Sequence, residues 1–478
     1  MSTITIIWIA LPFFLGFIIY LLPKLDKYLS LCVAFATVGY ALQLFVEPSL
    51  TLKLLDNFGV ILTVDQLSGY FILTNGLVTA AVILYCWQSH KTAFFYTQLI
   101  ILHGSVNAAF VCADLISLYV ALEVSGIAAF LLIAYPRTDR SIWVGLRYLF
   151  VSNVAMLFYL VGAVLVYQAD HSFSFAGLGV APPEALALIF LGLLTKGGIF
   201  VSGLWLPLTH SESETPVSAM MSGIVVKAGV YPLVRCALMV AEVDPIVRIF
   251  GVGTALLGVF YAVFEKDTKR MLAFHTVSQL GFILAAPVVG GFYALTHGLV
   301  KAALFLIAGS LPSRSFKELQ HQAIALPIWI ALVIASFSIS GFPLLSGFGA
   351  KVLTAKNLLP WQAIAMNVAA LGTAISFAKF IFLPRGGKAD VRYGFWAAII
   401  LLIGGLFLAN IAYYEVYTVE NIIKPLATIG IGWLAYLLIF QHIVIKLPRV
   451  LEQFEHLIGV MSLILILLFW KGFAWLGI

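Results

Sequence analysis

The stretch LGLLTKGGIFVSGLWLP, residues 191 to 207, puts Lys196 in the middle of a run that otherwise reads as membrane-buried. About eleven mostly apolar residues flank it on either side, so it is hard to assign as a lysine reaching for the interface. A charge at mid-membrane costs at least roughly 2.5 to 3.5 kcal/mol on insertion scales, and such residues usually face a polar interior and mark an ion path. Gly197 and Gly198 follow at once, then Trp205-Leu206-Pro207, so the helix is expected to loosen near the lysine.

The rest of the chain supports the membrane reading. It has 478 residues, of which 62% are hydrophobic and 10% charged, and its mean hydropathy of +1.06 lies far above that of ordinary soluble domains. Apolar runs of roughly 20 residues recur from Ile4 to Phe469, about sixteen in all. No stretch between them is long or polar enough for a soluble domain. The expected fold is an all-α polytopic membrane protein with about 14 to 16 transmembrane helices, two of them broken.

The net charge of +6 matters less than where the charges fall. With the N-terminus outside, the cytoplasmic loops hold Lys24, Lys27, Lys91, Arg137, Arg140, Lys266, Lys269, Arg270, Arg314, Lys317, Arg385, Lys388, Arg392, Lys446 and Arg449. The opposite side keeps chiefly Lys53, Lys356 and Lys424, beside acids such as Glu242 and Glu420. This bias requires Leu326 to Lys356 to count as one overlong, broken span. The first span lacks a basic leader and a small-residue cleavage site and reads as a retained helix. Cys32, Cys86, Cys112 and Cys236 are scattered singly, and neither a dinucleotide fingerprint nor a phosphate-binding loop occurs, so no cofactor, metal site or nucleic acid is expected.

Within or close to the spans stand Glu123, Arg147, Lys196, Lys227, His297, Lys301 and Lys351. Arg147, near the start of its run, reads as an interfacial anchor. Glu123 cannot snorkel far, so burial must be answered by protonation or by a cation, with Lys196 or Lys227 as the natural partner. His297 and Lys301 are four residues apart and share a helix face. Burial disfavours the charged form of either kind of group, so such a row could exchange protons near neutral pH. Lys351 repeats the context of Lys196, with Gly341, Gly347 and Gly349 before it and Leu359-Pro360 after. The spacing suggests a duplication: N-terminal helices in 1–91, a five-helix unit in 92–240, an inverted second unit in 243–383, and C-terminal helices in 393–478.

Six segments together resemble the antiporter-like membrane subunits shared by Mrp-type Na+/H+ antiporters, complex I and membrane-bound hydrogenases. They are VDQLSGYF (64–71), ADLISLYVALE (113–123), LWLPLTHSESETPVSAMMSGIVVKAGVY (204–231), KDTKRMLAFHTVSQLGF (266–282), THGLVKAALFLIAGS (296–310) and SGFPLLSGFGAK (340–351). The resemblance implies a fourteen-helix core with two inverted five-helix repeats and a midplane chain of ionisable groups. It makes Glu123 the glutamate paired with the broken-helix lysine Lys196, and Lys227 the central relay lysine. It makes His297 and Lys301 the His and Lys of the second repeat, and Lys351 the residue at its terminal broken-helix position. The chain departs from the family pattern WLPDAHAEAPTPVSA at Leu208 and Glu214, replaces AYSSVSH with FHTVSQ, has Arg147 where lysine is usual, and adds two apolar runs near 425–445 and 457–476.

The expected function is that of an ion-translocating subunit of an Mrp-like Na+/proton antiporter, in a bacterial-type plasma membrane or a thylakoid membrane. Its expected partners are other membrane subunits, protons, and Na+ or another monovalent cation. The alternatives are a non-redox, proton-pumping subunit of a complex I-like oxidoreductase and an energy-coupling subunit for inorganic carbon uptake. A haem carrier using His103, His297 and His442 has no favourable spacing.

Overall fold

The computed structural model describes residues 2–55, 59–386, 391–443, 445 and 447–475. Lys388 and Lys446 lie outside the described residues. Hydrocarbon offers backbone groups no partners, so a chain this apolar satisfies them within helices. The N-terminal helices are α1 (Ser2–Leu21), α2 (Asp26–Gln43) and α3 (Gln66–Tyr85), with a small antiparallel hairpin of β1 (Leu50–Lys53) and β2 (Ile61–Val64) between the last two. Next come α4 (Ala93–Ala109), α5 (Leu115–Ile133), α6 (Asp139–Asp170), α7 (Pro183–Gly197), α8 (Leu206–Glu212), α9 (Thr215–Met220) and α10 (Val226–Met239). Then follow α11 (Val243–Phe264), α12 (Thr268–Ala285), α13 (Gly290–Ala308), α14 (Phe316–Leu319), α15 (Leu326–Ser340), α16 (Ser346–Lys356) and α17 (Pro360–Ile381). The chain closes with α18 (Tyr393–Ile411), α19 (Val419–Ala435) and α20 (Phe454–Trp475).

Among the described residues, twelve helical segments are long and apolar enough to cross a membrane. Four further elements, α4, α12, the α15–α16 pair and α20, are shorter or more polar. With them, the runs read from the sequence are accounted for. The protein is an integral multi-pass membrane protein.

Two sequence motifs turn out to be helix starts. In VDQLS the Asp65 carboxylate accepts from the Ser68 N–H while the Ser68 hydroxyl accepts from the Asp65 N–H, a reciprocal cap on α3. In ADLIS, Asp114 caps α5 through the Ser117 N–H.

The two anticipated breaks are present and are built alike. At the end of α7, Gly198 is left-handed (φ 71°), and the Ile199 N–H reaches back to the Leu194 carbonyl at 2.8 Å. At the end of α15, Gly341 is left-handed (φ 88°), and the Phe342 N–H reaches the Phe337 carbonyl at 2.9 Å. Both are glycine-terminated caps of the same hydrogen-bond pattern. The expected loosening at Lys196 is therefore a tight helix end. Gly197 also has a packing task, because a Cβ on Gly229 of α10 would stand 2.3 Å from the Gly197 nitrogen. The pair lets α7 and α10 touch backbone to backbone.

Every residue of α12 and α13 is buried. A helix enclosed by others can carry polar groups that a lipid-facing helix cannot. Helices α1, α18 and α19 leave large apolar side chains exposed on the outside, as lipid contact requires.

Candidate functional site

The intramembrane charges sit on helices of both halves of the chain, and charge interactions join Lys227, His297 and Lys301. Lys196, at the last turn of α7, is 3% exposed, and its Nζ donates to Ser152 Oγ of α6 at 2.6 Å. A Cβ on Gly126 of α5 would lie 2.8 Å from that Nζ, so the ammonium rests on bare backbone one turn from Glu123. Glu123 is half-buried, and its Oε1 has no hydrogen-bond partner among the described residues. The expected direct pair is not formed. The Lys196 charge acts on the Glu123 carboxyl, but Ser152 occupies the ammonium.

Lys227 is 1% exposed on α10, just after a wide turn of π-helix over Met221–Val225. Such a turn shifts the backbone ladder by one residue, and Lys227 Nζ takes the Ser222 carbonyl at 3.1 Å. The Ser222 hydroxyl meets Thr276 of α12 at 2.7 Å. The side chain of Lys227 passes Gly298 of α13, where an added Cβ would stand 3.6 Å from Cε.

Beside Gly298, His297 is buried, its two ring nitrogens have no partner among the described residues, and the charges of Lys227 and Lys301 act on it. Lys301, fully buried on the same helix, donates to the Leu272 carbonyl of α12 at 2.6 Å.

Lys351 lies after its break, on α16, whereas Lys196 lies before its own. Its Nζ donates to the Ser340 carbonyl at 3.2 Å, which places the ammonium at the C-terminus of α15, where a cation is favoured. Lys351 lines a cavity of about 220 Å³ together with Lys356, Asn421, Lys424 and Thr428. Hydroxyls of Ser336, Ser338, Ser340, Ser346 and Thr354 are buried around this break without a hydrogen-bond partner among the described residues. Such polar, unfilled groups are what an ordered water needs.

Sequence reasoning missed Ser152, Gly126 and Ser222, and it missed the cover over Arg147. Arg147 is 4% exposed because the C-terminal segment covers it: its Nη2 donates to the Glu452 carbonyl oxygen. The Glu452 carboxylate accepts from Arg270 Nη2 at 2.7 and 2.8 Å, and Arg270 also pairs with Glu265 at 3.1 Å. Burial alone would raise the Glu265 carboxyl, but the Arg270 charge and the N–H groups of Lys266 and Asp267 hold it below the usual range. The departure at Glu214 is likewise answered, by an ion pair to Lys91 at 2.6 Å. His103, a ligand in the haem reading, is engaged at both ring nitrogens by Thr37 (2.8 Å) and Thr79 (3.0 Å).

Residues 112–376, more than half of the chain, match the family described as NADH:quinone oxidoreductase/Mrp antiporter, TM. The chain belongs to this family. The D-type subunit of the Na(+)/H(+) antiporter of Alkalihalophilus pseudofirmus is 27% identical, over 83% of this chain and 87% of the relative. The N-type subunit of the NADH-quinone oxidoreductase of Desulforudis audaxviator is 31% identical, over 68% and 72%. In fold, the chain is similar to a subunit of the membrane-bound sulfane sulfur reductase, an archaeal respiratory membrane complex, with TM-score 0.77, 20% identity and 91% of this chain covered against 99% of that one. It is also similar to a chain of the Mrp complex from Dietzia sp. DQ12-45-1b, with TM-score 0.74, 20% identity and coverage of 96% and 99%. Like its relatives in the Mrp antiporter and quinone oxidoreductase branches, it is a membrane ion-translocating subunit.

Proposed function

We propose that this chain is the ion-translocating subunit of an Mrp-like multisubunit Na+/proton antiporter, moving protons along Glu123, Lys196, Lys227, His297, Lys301 and Lys351. The observation that carries the reading is the set of buried lysines: among the described residues, each ammonium is hydrogen-bonded to a single hydroxyl or carbonyl and forms no ion pair with a carboxylate. A lysine so held can lose its proton without breaking an ion pair. The antiporter branch is favoured by a likeness to the D-type subunit of an antiporter that covers 83% of this chain and 87% of that one. The complex I-like reading is favoured by the higher identity to a quinone oxidoreductase subunit, and there the redox centres would lie on other chains.

The proposal includes two inverted repeats, 92–240 and 243–383, supported by the like caps at Gly198 and Gly341. Other membrane subunits complete the assembly, and Na+ is the proposed exchanged ion. The test is Glu123→Gln in everted vesicles containing the assembled complex, read as cation-dependent pH change. Loss of on the order of 10²-fold is expected. Near-normal exchange at matched expression removes Glu123 from the mechanism.

A further inference from the structure

Between Lys301 and Lys351 runs α12, and four of its residues, Leu272, His275, Gln279 and Phe282, fall at spacings of three, four and three. They therefore lie along one helix face. The Leu272 carbonyl accepts from Lys301 Nζ at 2.6 Å, and the Phe282 ring lies 5.6 Å beneath Lys351 Nζ. The two ends of this face thus touch the two lysines. In between, Gln279 Oε1 accepts from the Tyr293 hydroxyl at 2.7 Å and its Nε2 faces Thr373 at 3.5 Å. His275 is 0% exposed, its ring packs tilted at 47° against Phe377 with centroids 4.7 Å apart, and both ring nitrogens are unpartnered among the described residues. Lys301 Nζ stands 5.8 Å from the same Phe377 ring. The charges acting on His275 are Lys301, Lys379 and Lys351.

A buried imidazole with no partner is a costly way to fill space beside a phenyl ring, since its unmade hydrogen bonds carry a desolvation cost that an apolar side chain would avoid. We infer that His275 is a relay residue carrying protons from Lys301 toward Lys351 along this face of α12, with Gln279 and Tyr293 orienting the path. This rests on the proton-path reading above. In the step, an N–H bond breaks at Lys301 Nζ and one forms at a ring nitrogen. The proton on the opposite nitrogen then leaves, by way of water along the Gln279–Tyr293 face, to the neutral Lys351 amine. No oxidant or co-reactant is involved.

The experiment compares His275→Phe, His275→Asn, and the double variant His275→Ala with Gln279→His in vesicles of the assembled complex, beside Lys301→Ala and Lys351→Ala. Phenylalanine keeps the packing on Phe377 and asparagine keeps polarity, yet neither exchanges a proton. Both are expected to lose coupled transport by on the order of tenfold or more. The double variant moves the imidazole one turn along the same face and is expected to recover most of the activity, which a merely structural histidine would not allow. Should the phenylalanine variant fail to accumulate, the asparagine variant decides. Normal transport in the decisive variant, with the two lysine variants dead, overturns the role of His275 and leaves the lysine path standing. Normal transport in both lysine variants overturns the path and this step with it.

Discussion

At Lys196 the ammonium has one hydroxyl, Ser152 Oγ, and a floor of bare Gly126 backbone, which leaves no room for a wider head group. The lysine was legible in the sequence because a charge inside an apolar run has few bland explanations. Its contacts were not, because a serine and a glycine are ordinary in membrane helices and Ser152 is 44 residues away along the chain. Glu123 was also legible, but its direct pairing with Lys196 was not a property of either residue. It depended on which group the fold sets against the ammonium, and that group is the Ser152 hydroxyl. Lys196→Arg therefore tests two things at once. Guanidinium keeps the charge but effectively never releases its proton, and its planar fork does not fit the Ser152–Gly126 seat. Coupled transport is expected to fall on the order of 10²-fold at matched expression. Robust exchange by the arginine variant would show that Lys196 supplies only a fixed charge.

Among the elements, the broken helices were readable from Gly, Pro and span length, while the form of the break was not. Gly198 ends α7 in a left-handed cap, and a Cβ there would strike Leu206 at 2.1 Å, so the glycine is needed for geometry and not for slack. The C-terminal additions were visible as apolar runs, but where they dock depends on contacts between residues far apart in sequence. Helix α20 lies against α7 and the turn Phe200–Trp205, so the extension covers the break that carries Lys196. It is anchored by Glu452, whose carboxylate and Arg270 are each only 8% exposed. Removing Glu452 leaves Arg270 with Glu265 as a partner but takes away its tie to the C-terminal segment. Glu452→Ala should accordingly lower the thermal midpoint of the purified protein and expose the C-terminal segment to protease. An unchanged midpoint would make the clamp incidental. The pH dependence has a definite sign, because Glu265 in the same cluster is held below the usual carboxylate range. Its contribution is complete above its unfolded pKa and is lost only as pH falls through the lowered folded value. The Arg270–Glu265 part of the cluster should thus hold unchanged across neutral pH and weaken only in acid.

On the scale of the whole molecule, the buried row has a direction. Lys227 and Lys301 are enclosed, while Lys351 is half-buried and lines the cavity shared with Lys356 and Lys424, residues that the charge bias assigns to the outer face. Composition and charge distribution made the membrane class and a cytoplasmic–outer asymmetry legible. Which lysine meets the outside was hidden, because depth along a helix does not say how far neighbouring helices close over it. Single cysteines can measure that closure. Cys86, Cys112 and Cys236 are buried and Cys32 is exposed, so replacing Cys32 gives a quiet background. A membrane-impermeant thiol reagent applied to right-side-out vesicles should modify Lys351→Cys readily and Lys227→Cys and Lys301→Cys slowly or not at all. Neutral replacements are also cheaper to bury than the ammonium groups they remove, so all three variants are expected to insert. Equal labelling at 301 and 351 would mean that the enclosed part of the row is open to the outer water. Labelling of 351 only from the opposite side would reverse the assigned orientation, and with it the side on which a proton leaves the row.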